Sequence, residues 1–409
     1  MVIMSEWQVF QSADLNWHFK AYPINTSYEH SNFEGRTMKK NQPSINSKLF
    51  LIGFMLVALF GTFIREAFAQ TLVPSASSSA FGSAATNALG QDAIYMYKGA
   101  DRAKWLLDHA KAEGTLTLYT SLAPTEAAPI LKEFEKKFGV HVELWRGLSD
   151  GVLQRVLNET RAKRYAADVV ETNGPEMEIL AREKMFSEFY SPHQSDLPQN
   201  MIPKHRQWMP DRVNFFVVAY NTQKVKKEEL PNHLEGFLTP RWKDQLGIEA
   251  TDAEWMGGIM NALGEARGSA FFKKLSEMKP DVRKGHILLA QMISQGEVQV
   301  GLTIYNANAQ SFKQRGASID WVPIEPTLAR PQGIALTKHA THPYAALLFA
   351  DFMLSVDAQK MLNDMGRPPA NTKVKSELNN FNYVLTDPGL VVDEADKWGQ
   401  AWAKLFLTK

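Results

Sequence analysis

Ser121, Arg146, Thr172, Asn173 and Gly174 are the first residues whose chemistry stands out, because each ends or follows a short strand-like run. The last three come immediately before Pro175, and proline favours the opening turn of a helix. Hydroxyls and free helix N–H groups gathered at such a point suit an oxyanion. Arg146 adds a guanidinium able to grip a carboxylate or phosphate through two parallel bonds. Thr251, Asp252, His286 and Tyr305 end or follow comparable runs further along and form a second set. Structural alternatives stand beside these: Thr172 or Asn173 as a helix cap, Arg146 in a surface ion pair, His286 capping its own helix, and Trp255 closing a hydrophobic corner.

Other chemistries lack their residues. The chain has no cysteine, which removes disulfides, thiolate metal sites and cysteine nucleophiles. GxSxG, HExxH and Walker patterns are absent. His339 and His342 in KHATHP are followed at once by Pro343 and read as a solvated loop. Glu176 with Glu178, and Glu228 with Glu229, read as solvated faces rather than a hydrolase pair. With 45 Lys+Arg against 44 Asp+Glu, and Lys224, Lys226 and Lys227 balanced by the glutamates after them, nothing points to nucleic acid.

Alternating elements must position these residues. TLTLY from Thr115 reads as a strand, and PTEAAPILKEFEKKFG reads as a helix with Ile130, Leu131, Phe134 and Phe138 on one face and Gly139 as its stop. VHVELW is the next strand, then a helix from Asp150, the strand ADVVET, and a helix opened by Pro175. This alternation predicts a parallel sheet covered on both faces, which binds ligands at strand C-terminal ends. VNFFVVAYNT is a long β run, and after PRWKDQLGIEA a second alternating set begins, with a helix over Ile287–Ser294, the strand VQVGLTIY and a helix over Asn308–Arg315. GIALTK and the apolar helix PYAALLFADFML then return to the first set, so two crossings form a hinge.

The chain has 409 residues, enough for two lobes plus extras, and 44% of them are hydrophobic, so a sizeable core is available. Before the alternating region, an apolar run from Leu49 to Ile64 follows Lys39, Lys40 and Lys48 and leads to Ala67-Phe68-Ala69. That pattern predicts a signal peptide, with cleavage after Ala69 and a translation start possible at Met38. The run is short of the roughly 20 residues that span a bilayer. Residues 70–94, rich in Ser, Ala and Gly, are expected to be a flexible leader.

In order along the chain, LTLYTSLAPTEAAPILKEFEKKFGVHVELWRG, ADVVETNGPEME, VVAYNT, PRWKDQLGIEATDAEW, GEVQVGLTIYNAN and ARPQGIALTKHATHPYAALLFADFMLSVDAQKML resemble the periplasmic solute-binding proteins of ABC importers, in their ferric-ion-binding branch. The resemblance implies an α/β, two-lobed type II periplasmic binding fold with two β hinge crossings. Lobe 1 would comprise 95–216 and 322–372, lobe 2 would comprise 217–321, and 373–409 would form a C-terminal helical segment. It implies no catalysis and no required cofactor, with Fe(III) only as a carried solute. The expected partners are a permease and its ATPase, and the expected state is a monomer in the periplasm. A periplasmic metal-dependent hydrolase and a solute-sensing receptor subunit are the alternatives.

Ferric-binding members use two adjacent tyrosines with a histidine and a glutamate. In this sequence Tyr305 matches one tyrosine and Asn306 stands at the other. No histidine lies in Thr120-Ser121-Leu122-Ala123, and Asn173 stands at the acidic position, with Glu171 two residues before it. Tyr305 and Glu171, with His286, are thus the candidate metal ligands. The competing solute is an oxyanion, a polar organic molecule or an iron chelate, held by Ser121, Arg146, Thr172, Asn173, Thr251, Asp252, His286, Tyr305 and Asn306.

Overall fold

The computed structural model describes residues 90–408. The expected signal peptide and most of the expected leader lie outside them. The described chain opens with α1 (Gln91–Tyr95) and α2 (Arg102–Glu113). It then alternates β1 (Thr115–Thr120), α3 (Pro124–Phe138), β2 (His141–Arg146), α4 (Ser149–Arg161), β3 (Val169–Asn173) and α5 (Gly174–Arg182), before the short β4 (Phe186–Ser187). Gly139 ends α3 in the left-handed conformation at φ 68°, which glycine adopts without a Cβ penalty. The leader boundary expected at residue 94 falls inside α1. Ile94 and Tyr95 are buried and Gln91 Nε2 donates to the Thr337 carbonyl at 2.6 Å, so the packed body begins earlier than composition suggested.

The long apolar run forms β5 (Met209–Asn221), buried throughout. Beyond it come β6 (Leu246–Glu249), α6 (Ala253–Leu263), α7 (Glu265–Glu277), β7 (Asp281–Arg283), α8 (His286–Gln295), β8 (Val300–Tyr305), α9 (Asn306–Gln314) and β9 (Ile319–Val322). β10 (Leu328–Thr337) leads back to α10 (Pro343–Leu354) and α11 (Val356–Asp364), and the chain ends with β11 (Val384–Leu385), α12 (Pro388–Asp393) and α13 (Ala395–Trp402).

β1 pairs in parallel with β2 and β3, and β6 pairs in parallel with β7 and β8. Between these parallel units lie β10 and β5, antiparallel to each other and to their outer neighbours, in the order β2-β1-β3-β10-β5-β8-β6-β7. β5 and β10 are therefore the two crossings. One core packs Leu106, Phe134, Phe349 and Met353 of α2, α3 and α10. The other packs Phe216, Trp255, Phe272 and Leu302 with Trp398, Trp402 and Phe406, so the C-terminal segment docks on the second lobe. Trp402 Nε1 donates to the Ala250 carbonyl at 2.9 Å and fixes that docking.

α5 begins unusually close to the crossing strand. A Cβ on Gly174 would stand 2.8 Å from the carbonyl oxygen of Pro331, so only glycine lets the helix start there. Among the described residues no helix is long and apolar enough to cross a membrane.

Candidate functional site

The parallel strands of both lobes feed directly into helices: β2 into α4, β3 into α5, β6 into α6, β7 into α8 and β8 into α9. None of these helix starts is capped by its N-cap side chain. Their first N–H groups carry partial positive charge at strand C-terminal ends, where ligands bind in such sheets.

Between the lobes, Arg330 on β10 ties both sides together. Its Nη1 donates to Tyr305 Oη at 2.6 Å and its Nε lies 2.9 Å from Glu254 Oε2, both groups belonging to the second lobe. Its Nη2 lies 3.8 Å from Glu176 Oε2, on α5 of the first lobe. One guanidinium thus faces two carboxylates. Burial raises the pKa of both Glu176 and Glu254, with Arg330 opposing that shift. Burial pushes the Tyr305 phenol far above its ordinary value, so the hydroxyl is protonated at neutral pH.

On the second lobe, three side chains meet at the ends of β6 and β7. Glu249 ends β6 and is held by the Gly285 N–H at 2.7 Å, the Thr251 N–H at 2.5 Å and the Thr251 hydroxyl at 2.7 Å. Asp252 precedes α6 and places Oδ1 3.3 Å from Nε2 of His286, the first residue of α8. His286 Nδ1 lies 3.0 Å from the Thr303 carbonyl, and its ring centroid is 3.8 Å from that of Tyr305. Burial disfavours the charged imidazole, but the Asp252 carboxylate outweighs it and the His286 pKa is raised. Burial raises that of Asp252.

The structure brings Asp252, His286 and Tyr305 together and leaves exposed Thr251 at their edge. Glu171 departs from its expected role. Its carboxylate accepts from Thr120 Oγ1 and pairs with buried Arg212, and β10 and β5 separate its strand from that of Tyr305. It is a buried carboxylate paired within its own surroundings, not a metal ligand beside Tyr305. Asn306 also turns inward: its Oδ1 accepts from the Phe215 N–H at 3.3 Å and its Nδ2 donates to the Leu378 carbonyl at 3.0 Å. Thr172 is fully buried.

In the first lobe, the Asn173 side chain accepts from Gln332 Nε2 instead of capping α5. Ser121 stands half-buried just beyond β1. Arg146 is exposed at the end of β2, with Nε donating to the Leu122 carbonyl at 3.1 Å. Trp255 lies in the second core, 5.4 Å from the Phe272 ring.

Glu176 and His342 do not lie on solvated faces. Glu176 has a side chain only 17% exposed and faces Arg330. His342 places Nδ1 2.9 Å from buried Asp168.

The sequence does not single out Arg330, Glu254 or Glu249, and it offers Glu176 only as part of a solvated face. The strand-end rule would have reached Glu249, which closes LGIE directly before Thr251 and Asp252. Arg330 carries no such signal, since ARPQG beside the expected crossing gives no hint of which carboxylates its side chain meets.

Two parallel α/β lobes joined by two β crossings, with polar residues gathered at opposing strand ends, define a type II periplasmic binding fold. Residues 167–385 match the family of bacterial extracellular solute-binding proteins, and the chain belongs to that family. It is 23% identical to the major ferric iron-binding protein of Neisseria meningitidis serogroup B over 279 residues, which cover 64% of this chain and 83% of that one. Iron-bound HitA from Pseudomonas aeruginosa superimposes with a TM-score of 0.62 at 21% identity, over 70% of this chain and 99% of HitA. AfuA from Actinobacillus pleuropneumoniae, with fructose-6-phosphate bound, gives 0.61 at 20% identity, over 73% of this chain and all of AfuA (100%).

Proposed function

We propose that this chain is the solute-capturing component of an ABC importer. It closes its lobes over a small oxyanion-bearing organic solute, alone or as a metal complex, and passes it unaltered to a permease and ATPase. The observation that carries this reading is the set of helix starts without side-chain caps at the strand ends of both lobes. The relatives named for ferric iron and the neighbour holding fructose-6-phosphate support the class of solute. Bare ferric iron on a tyrosine pair fits less well, because Tyr305 has Asn306 beside it and accepts a hydrogen bond from a cation.

The test is thermal unfolding of the purified protein against citrate, ferric citrate, sugar phosphates, phosphonates and dicarboxylates. A true solute at a hundredfold excess over its Kd should stabilise by about 2.7 kcal/mol. Turnover of a phosphate ester, or no stabilisation by any compound, would overturn the reading.

Export belongs to the same proposal. Cleavage after Ala69 makes Gln70 the first residue of the exported protein, which N-terminal sequencing reads directly. Lobe 1 as 95–216 and 322–372, lobe 2 as 217–321, and a monomeric state complete the proposal.

A further inference from the structure

We propose that Glu249, Asp252 and His286 form a binding site for a divalent first-row cation of the zinc type, built within the second lobe alone. One ligand atom from each lies within 4.8 Å of the others, a little wider than the roughly 3–4 Å between donors around bound zinc. The inference rests on the solute-receptor reading only in placing the ion beside the solute.

The hydrogen bonds around His286 assign its tautomer. Nδ1 faces the Thr303 carbonyl at 3.0 Å, so Nδ1 carries a hydrogen and donates it. A metal-binding imidazole is held in this way, with one nitrogen donating to a fixed carbonyl and the other free to ligate. The free nitrogen, Nε2, looks at Asp252 Oδ1 from 3.3 Å. Lone pair and carboxylate cannot face each other at that distance without positive charge between them, so either a proton or a cation lies there.

A second observation is independent of that contact. Asp252 Oδ2 has no hydrogen-bond partner, and the Asp252 side chain is only 4% exposed. A buried carboxylate oxygen left in this state is costly, and a cation would satisfy it. Glu249 is already aimed by Gly285 and Thr251: its Oε2 accepts both Thr251 bonds, while Oε1 accepts only from Gly285 and retains a lone pair for an ion. Two carboxylates with one imidazole match zinc-type ions better than calcium or magnesium.

The ion would also reconcile two features of this end of the lobe. The starts of α6 and α8 invite an oxyanion, whereas Glu249 and Asp252 repel one. A divalent ion between them removes the repulsion and leaves coordination positions for solute oxygen.

The experiment is a cobalt titration of the chelator-treated full chain, followed through the visible absorption of bound Co2+, with Zn2+ as competitor. One equivalent should bind. His286→Gln and Asp252→Asn should each weaken binding by about 10–100-fold or more. His141→Gln, on an exposed surface histidine, should leave it unchanged. Absence of cobalt binding, or equal binding by the wild type and His286→Gln, overturns the site. If Asp252→Asn fails to fold by circular dichroism, the zinc-induced rise in melting temperature must still vanish in His286→Gln.

Repeating the solute screen with and without Zn2+ separates the two proposals. Stabilisation by an organic solute without any cobalt binding sinks the ion site and leaves the receptor reading. Cobalt binding lost in His286→Gln with no stabilising solute does the reverse.

Discussion

At Arg330 a single guanidinium serves Tyr305, Glu254 and Glu176, and removing it would leave two carboxylates with nothing to neutralise them. Arg330→Met should destabilise the protein by about 3–5 kcal/mol in urea unfolding, and adding Glu176→Gln and Glu254→Gln should recover part of the loss. Glu176 also sets a pH dependence. Its pKa in the fold is raised above the ordinary 4.5, so the folded state holds its proton more tightly than the unfolded chain. Its stabilising contribution is complete below pH 4.5 and is lost as pH rises through the folded value. Denaturant midpoints measured from pH 4.5 upward should therefore fall less steeply in Glu176→Gln than in the wild type. Tyr305 makes a third expectation. Its oxygen faces the Arg330 guanidinium and Asn306 stands where a second phenolate would be, so ferric salts at neutral pH should give no visible phenolate charge-transfer band.

Elements meet in this fold through close backbone approach and aromatic docking. In Gly174→Ala the new methyl would press on the Pro331 carbonyl, which belongs to backbone and cannot rotate away. The start of α5 must then retreat from β10, a strain of about 1–3 kcal/mol that a lowered melting temperature would report. The helical segment α13 shows the converse dependence, because its aromatic residues complete the second core. Trp402, only 1% exposed, packs edge-on to Trp255 with ring centroids 6.3 Å apart. Trp402→Ala should cost about 3–5 kcal/mol in urea unfolding.

Over the whole molecule, β5 and β10 are the links through which one lobe can turn on the other. A solute touching both lobes favours the closed state only by contacts that the open state lacks. The radius of gyration from small-angle scattering should therefore fall when the stabilising solute is added, and an unchanged radius would argue against closure. The alternation of strands and helices, the glycine stop of α3, the return of α10 to the first lobe and the two crossings were all legible, because each rests on local periodicity or on an apolar run long enough to be buried.

The fate of polar residues at strand ends was legible only in part. Tyr305, Asp252 and His286 were each legible as strand-end residues, but they converge because β8 and β7 flank β6 in one parallel unit, an arrangement that the chain order does not give. Glu171 and Asn306 occupy equally promising strand ends, yet they turn inward to Arg212 and to the Phe215 backbone. Order along the chain determined which elements form and roughly where the cleft lies, through hydrophobic periodicity and turn residues. Only the tertiary structure decided which charges face one another, because β10 lies between β3 and β5 and carries Arg330 to carboxylates far away in sequence.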